Sequence, residues 1–164
     1  MKFTMVHVRN LLKNLEKAIF DLCSLQAPDD TGAERRGMEY GFTIKGTLPG
    51  LNEYLKAERS FRNRHSNGND MKQQYQIIIA NAVRRDLKNL HINKPVMIKY
   101  DFYEPNRKRD LDNIAGVAHK FIQDALVKCR VLDNDGWNNI TGFEDKFYID
   151  KHNPRIEVLI KEVV

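Results

Sequence analysis

Apolar residues recur at intervals of three and four along the first 26 or so residues: Val6, Val8, Leu11, Leu12, Leu15, Ile19, Phe20, Leu22 and Leu25. That rhythm predicts an amphipathic helix. Ala27-Pro28-Asp29-Asp30-Thr31-Gly32 ends it, and a polar stretch follows to Gly37. Tyr40 to Lys45 alternates apolar with polar and reads as a strand, stopped by Gly46 and Pro49-Gly50. Leu51 to Asn69 is rich in charge and reads as a loop, its Ser66-Asn67-Gly68-Asn69 end mobile. Asp70 can cap a helix running to about Leu90, with Tyr75, Ile78, Ile79, Ala82, Val83 and Leu87 on the buried side. Val96, Ile98, Tyr100 and Phe102 mark the buried face of a strand that Pro105 closes. Asn113 to Lys128 is helical again, with Ile114, Val117, Ala118, Phe121, Ile122, Ala125 and Leu126 in phase. A turn at Leu132 to Gly136 leads to a less regular strand region from Trp137 through Tyr148, and Arg155 to Ile160 is a last alternating strand.

This order, β, α, β, α, β, β, predicts an α+β fold, a mixed sheet packed with helices. Two segments are expected: an N-terminal helical extension and linker over 1–37, and one domain over 38–164. The first helix can pack on the domain or make a dimer contact; alternatively, Met38 would serve as the start of the domain. Of 164 residues, 41% are hydrophobic and 30% charged, a globular mixture. No apolar run approaches the ~18 residues of a membrane span. Cys23 and Cys129 are too few for a disulfide framework and read as reduced thiols of a cytosolic protein.

Charge narrows the classes of partner. The net +5 is concentrated between Gly41 and Tyr100, where eleven Lys/Arg face four Asp/Glu. Such an excess favours a polyanion. Lys56, Arg59, Arg62 and Arg64, interleaved with Tyr54 and Phe61, form one candidate set of phosphate contacts; Arg107, Lys108 and Arg109 form another. The second set directly precedes Asp110 and Asp112, and Asp135 lies beyond the following helix. If the strand runs on, side chains two apart share a face, and paired carboxylates suit a hard divalent cation acting on a phosphodiester. The bland alternative makes Asp112 a helix cap and Asp133-Asn134-Asp135-Gly136 a turn. A calcium loop fits poorly. Asp133, Asp135 and Glu144 stand at positions one, three and twelve of such a loop, but the glycine needed at six falls at four, as Gly136. The five histidines show no zinc spacing, and no glycine-rich phosphate loop is present.

Arg109-Asp110-Leu111-Asp112-Asn113, then Lys120-x-x-x-Asp124-Ala125-Leu126, then Asn134-Asp135, resembles the RusA family of Holliday-junction resolvases, above all its phage and prophage members from Gram-positive bacteria. The resemblance runs from about Tyr40 to Val163 and includes Pro49 to Tyr54 and Gly142 to Asp145. It implies a cytoplasmic, homodimeric, Mg²⁺-dependent endonuclease, with Mn²⁺ a possible substitute. Such an enzyme recognises four-way DNA junctions by shape and nicks two opposed strands symmetrically in recombination and repair. It further implies Asp110, Asp112 and Asp135 as metal ligands and Lys120 as the essential catalytic lysine. The chain departs from the family at that lysine. The family places it one helical turn after the second aspartate, where this chain has Gly116; Lys120 comes four residues later, and His119 is a second candidate for the task. A non-catalytic branched-DNA binding protein is the main rival reading. A structural phage protein, whose acids only cap and turn, is a third.

Overall fold

A computed structural model describes residues 38–62 and 65–163, with the side chains of residues 61, 62 and 65 outside that description. The helix expected over residues 1–26, the side chain of Arg62 and all of Arg64 therefore lie outside the described residues. In chain order the elements are β1 (Glu39–Lys45), α1 (Leu51–Glu58), β2 (Phe61–Arg62), β3 (His65–Ser66), α2 (Asn67–Leu87), β4 (Val96–Glu104), α3 (Leu111–Lys128), β5 (Ile140–Ile149) and β6 (Arg155–Glu162). The fold is α+β. One four-stranded mixed sheet has the order β1-β6-β4-β5, and β2 and β3 form a separate small hairpin.

Strand β6 pairs antiparallel with both β1 and β4, while β4 and β5 run parallel and are joined through α3. A parallel pair needs such a crossover, because its strand ends lie at opposite ends of the sheet. Alternation decides which face the helices cover. Ile98, Tyr100 and Phe102 on β4, Phe42 and Ile44 on β1, and Ile156, Val158 and Ile160 on β6 are all buried. Against them pack Ile79 and Val83 of α2, and Ile114, Ala118, Phe121, Ile122 and Leu126 of α3. The other sheet face carries Lys99, Asp101 and Tyr103, and among the described residues no helix covers it.

Four expectations need correction. Leu51 to Glu58 is a helix, although none of its residues is fully buried. Leu51 and Tyr54 nevertheless pack on the core at helical spacing, a signal obscured by the surrounding charges. The second helix starts three residues before Asp70, and its cap is Ser66, whose Oγ accepts from the Asn69 amide at 3.1 Å. Ser66 to Asn69 is thus the helix start and not a mobile loop. That helix closes at Leu87, where Lys88 takes φ 53°. Finally, β5 begins at Ile140, and Trp137 stands 97% exposed in the preceding turn.

Candidate functional site

The run Glu104 to Asn113 makes the passage from β4 into α3. Glu104 ends β4 on its buried face, in phase with Phe102 and Tyr100, so its carboxylate needs a partner. Arg109 supplies it: Nη2 donates to both carboxylate oxygens at 2.6 and 2.7 Å, and Nε donates at 3.1 Å. The remaining nitrogen, Nη1, donates to the Leu48 carbonyl at 2.7 Å. Between them, Asn106 Oδ1 accepts from the Lys108 amide at 3.0 Å and tightens the turn.

Asp110 is the N-cap residue of α3, yet its side chain makes no capping hydrogen bond. Asp112 lies in the first helical turn, and both carboxylates are exposed. The two acids therefore do not share the face of an extended strand, as the spacing suggested; the chain has already turned into helix. They stand at the carboxyl ends of the parallel β4–β5 pair, where ligands of open α/β sheets commonly bind. A cleft of about 310 Å³ opens there, lined by Glu104, Asn106, Arg107, Arg109, Asp110 and Tyr148 among others. The free amides and macrodipole of a helix start favour anions at the same place.

The start of α1 is tied to the start of α3. Asn113 Oδ1 accepts from the Asn52 amide at 2.8 Å, and a Cβ on Gly50 would lie 2.8 Å from Asn113 Nδ2. Gly116 faces Leu51, and Tyr54 meets Phe121 edge to face, with ring centroids 5.4 Å apart. Pro49–Tyr54 and Arg109–Asn113, two of the stretches behind the family resemblance, are thus in direct contact.

Asp135 and Lys120 meet each other beyond the start of α3. Lys120 Nζ lies 2.8 Å from Asp124 Oδ1 and 3.4 Å from Asp135 Oδ2. Asp124 also meets Lys72 at 2.7 Å and accepts from Gln76 Nε2 at 3.3 Å. Burial pushes the Asp124 carboxyl up, but the hydrogen bonds from Lys120 and Lys72 prevail and hold it below the ordinary value. Lys120 is raised, first by its bond to Asp124. Lys120 follows Asp112 by eight residues, an axial rise of about 12 Å. Among the described residues, no group of three or more His, Cys, Asp or Glu side chains is placed to hold a metal ion.

The second lysine candidate, His119, contacts Asp145 Oδ1 through Nε2 at 2.8 Å and stacks near Tyr100, with centroids 4.5 Å apart. Of the proposed phosphate contacts, Arg107 and Lys108 are exposed beside the cleft, and Lys56 and Arg59 are exposed at the end of α1. Arg109 is instead engaged inside the protein. Glu104 and Asn113 were missed as positioning residues. The signal for Glu104 was an acid in phase with the buried face of its strand, five residues before an arginine.

No protein-family model matches the chain, and no curated protein matches it. Among the described residues, no helix is long and apolar enough to cross a membrane.

Proposed function

We propose that the protein is a divalent-metal-dependent endonuclease of the RusA type that cuts branched DNA, foremost four-way junctions, by paired symmetric nicks. The observation that carries this reading is the pair of exposed, uncapped carboxylates, Asp110 and Asp112, beside the Arg107-lined cleft at the carboxyl ends of β4 and β5. The donor set fits Mg²⁺, or Mn²⁺ in its place, because such an ion takes only one or two protein carboxylates and keeps several waters. Asp110 and Asp112 would hold it; Asp135 is not needed for that minimum. When bound, the ion supplies Lewis acidity toward a phosphodiester and lowers the pKa of water.

The chain's own residues orient the substrate. Arg107 and Lys108 neutralise phosphates beside the cleft, and the α3 amides attract a further phosphate oxygen. Arg109, through Glu104 and Leu48, fixes the loop that presents these groups. Lys56 and Arg59 add contacts to backbone rather than bases, so affinity should fall steeply with salt. The working form would be a homodimer in the cytoplasm of a bacterial or phage-infected cell.

The test uses end-labelled four-way junctions and matched linear duplex, with Mg²⁺ or EDTA. The expected result is paired nicking of the junction alone, dependent on Mg²⁺, abolished in Asp112→Asn while junction binding persists. The absence, among the described residues, of a group of three or more His, Cys, Asp or Glu side chains placed to hold a metal ion favours a second reading, a branched-DNA binding protein that does not cut. Tight junction binding without cleavage in Mg²⁺ or Mn²⁺ would select it, and absence of both binding and cleavage would remove both readings.

A further inference from the structure

The two outer strands of the sheet finish differently. On β1, the Thr43 amide donates to Asp86 Oδ2 at 2.9 Å, and the Thr43 carbonyl accepts from Arg85 Nη2 at 2.6 Å. Side chains of α2 thus occupy the hydrogen-bonding groups that another strand would need there. At the opposite edge, β5 is ten residues long and last in the strand order. No other element among the described residues pairs with its outer side. It contains no proline, and it exposes Phe143 by 48%, Tyr148 by 40% and Ile149 by 50%. A long strand edge that is unpaired among the described residues and exposes large apolar side chains is a template for another strand.

The sequence of β5 is complementary to itself. Placed antiparallel to a second copy about a two-fold axis at Asp145, Glu144 stands opposite Lys146 on both sides of the axis. Phe143 then faces Phe147, and Gly142 faces Tyr148. The sheet faces agree as well. Phe143, Asp145 and Phe147 are in register with Ile98, Tyr100 and Phe102 on the helix-covered face, whereas Glu144 and Lys146 are in register with Lys99 and Asp101 on the open face. Each axis sets one charged residue against its own copy, Asp145 here, but shifting it to Glu144 or to Lys146 gives neither reciprocal pair. At the axis, each Asp145 carboxylate is turned toward its own His119 at 2.8 Å.

We infer that β5 is the surface through which two copies of this chain associate, edge to edge and antiparallel about Asp145. Their sheets join into one, with both helical layers on the same side. The exposed rings of Phe143 and the half-buried rings of Phe147 meet across the seam on that side. On the open side, the Glu144–Lys146 contact, 3.0 Å within one strand, gains a reciprocal partner from the other copy. This assignment rests on the edge and its sequence and is independent of the nuclease reading.

Charge reversal tests it in the full chain. Both side chains are about half exposed, 47% for Glu144 and 48% for Lys146, so either reversal leaves the fold intact, as circular dichroism would verify. Each single variant, Glu144→Lys or Lys146→Glu, creates two like-charge oppositions across the axis. Each should raise the dimer dissociation constant by roughly tenfold or more in sedimentation equilibrium. Mixing the two variants restores opposite charges at both positions. An isotope-labelled copy of one should then form a heterodimer with the other, seen by native mass spectrometry, at close to wild-type affinity. Reversal also disturbs contacts within each monomer, with Lys99 for Glu144 and Asp101 for Lys146, but mixing cannot repair those. A wild-type chain that stays monomeric, a dimer indifferent to either reversal, or variants that fail to recover on mixing would each overturn the assignment.

Discussion

Replacing Arg109 by Met separates two roles open to a basic residue in this loop: a phosphate contact and a structural clamp. In the folded protein its side chain is 24% exposed, while that of Glu104 is only 6% exposed. Removing the guanidinium strands the Glu104 carboxylate, and breaking a buried ion pair from one side costs roughly 3–5 kcal/mol. The Leu48 carbonyl also loses its donor, worth about 1 kcal/mol. Because Arg109 keeps some contact with water, a net loss of about 3 kcal/mol is the expectation. For a domain of this size that corresponds to a melting-point drop of about 10 °C. Urea denaturation is the appropriate assay, since guanidinium salt would screen the pair under study. Arg109→Lys should lie between the two, because an ammonium cannot reproduce the fork to Glu104 and Leu48 together. The double variant Arg109→Met with Glu104→Met should recover most of the loss, as no charge is then left buried. A stability change under about 1 kcal/mol, together with a large loss of DNA affinity, would refute the clamp and return Arg109 to the phosphate contacts.

Asp86 gives a pH-dependent counterpart at the opposite sheet edge. The hydrogen bond from Arg85, with the Thr43 amide adding to it, holds the carboxyl at about 2 against an ordinary 3.8. Its folded value is depressed, so its contribution is complete above about pH 4 and vanishes as pH falls through 2. Thermal melts should therefore show Asp86→Asn less stable than wild type near neutrality, with the two curves converging in acid; a constant gap would contradict the assignment. Gly50→Ala should destabilise by about 1–3 kcal/mol in urea. Its new Cβ would approach Asn113 Nδ2 and Oδ1 to 2.8 and 2.9 Å and disturb the bond to the Asn52 amide. A neutral substitution there would mean that the joint between α1 and α3 yields freely.

Much of the architecture was legible because burial imposes a period. Alternation in β4 and β6 and the three-four spacing in α3 located those elements, and in β4 and α3 named Tyr100, Phe102, Phe121 and Leu126 as core, each of which is buried. Where burial is shallow the signal failed. The helix α1 buries no residue completely, so its charges suggested a loop. The start of α2 was displaced because Ser66 and Asp70 are both plausible caps, and only the hydrogen bond to Asn69 decides between them.

The candidate site divides in the same way. The sequence by itself determined that Asp110 and Asp112 follow a strand, that basic residues precede them, and that a helix separates them from Asp135. Only the tertiary structure decided which of these groups meet. It folds Arg109 inward onto Glu104, ties Asn113 to the Asn52 amide, and sets Lys120 against Asp124 and Asp135. It also leaves one sheet edge blocked by α2 and the other, among the described residues, unpaired. The physical reason is range: hydrophobic period reports the surroundings of a residue averaged along its own element. An ion pair or an occupied strand edge depends on ångström-scale distances between elements far apart in the chain.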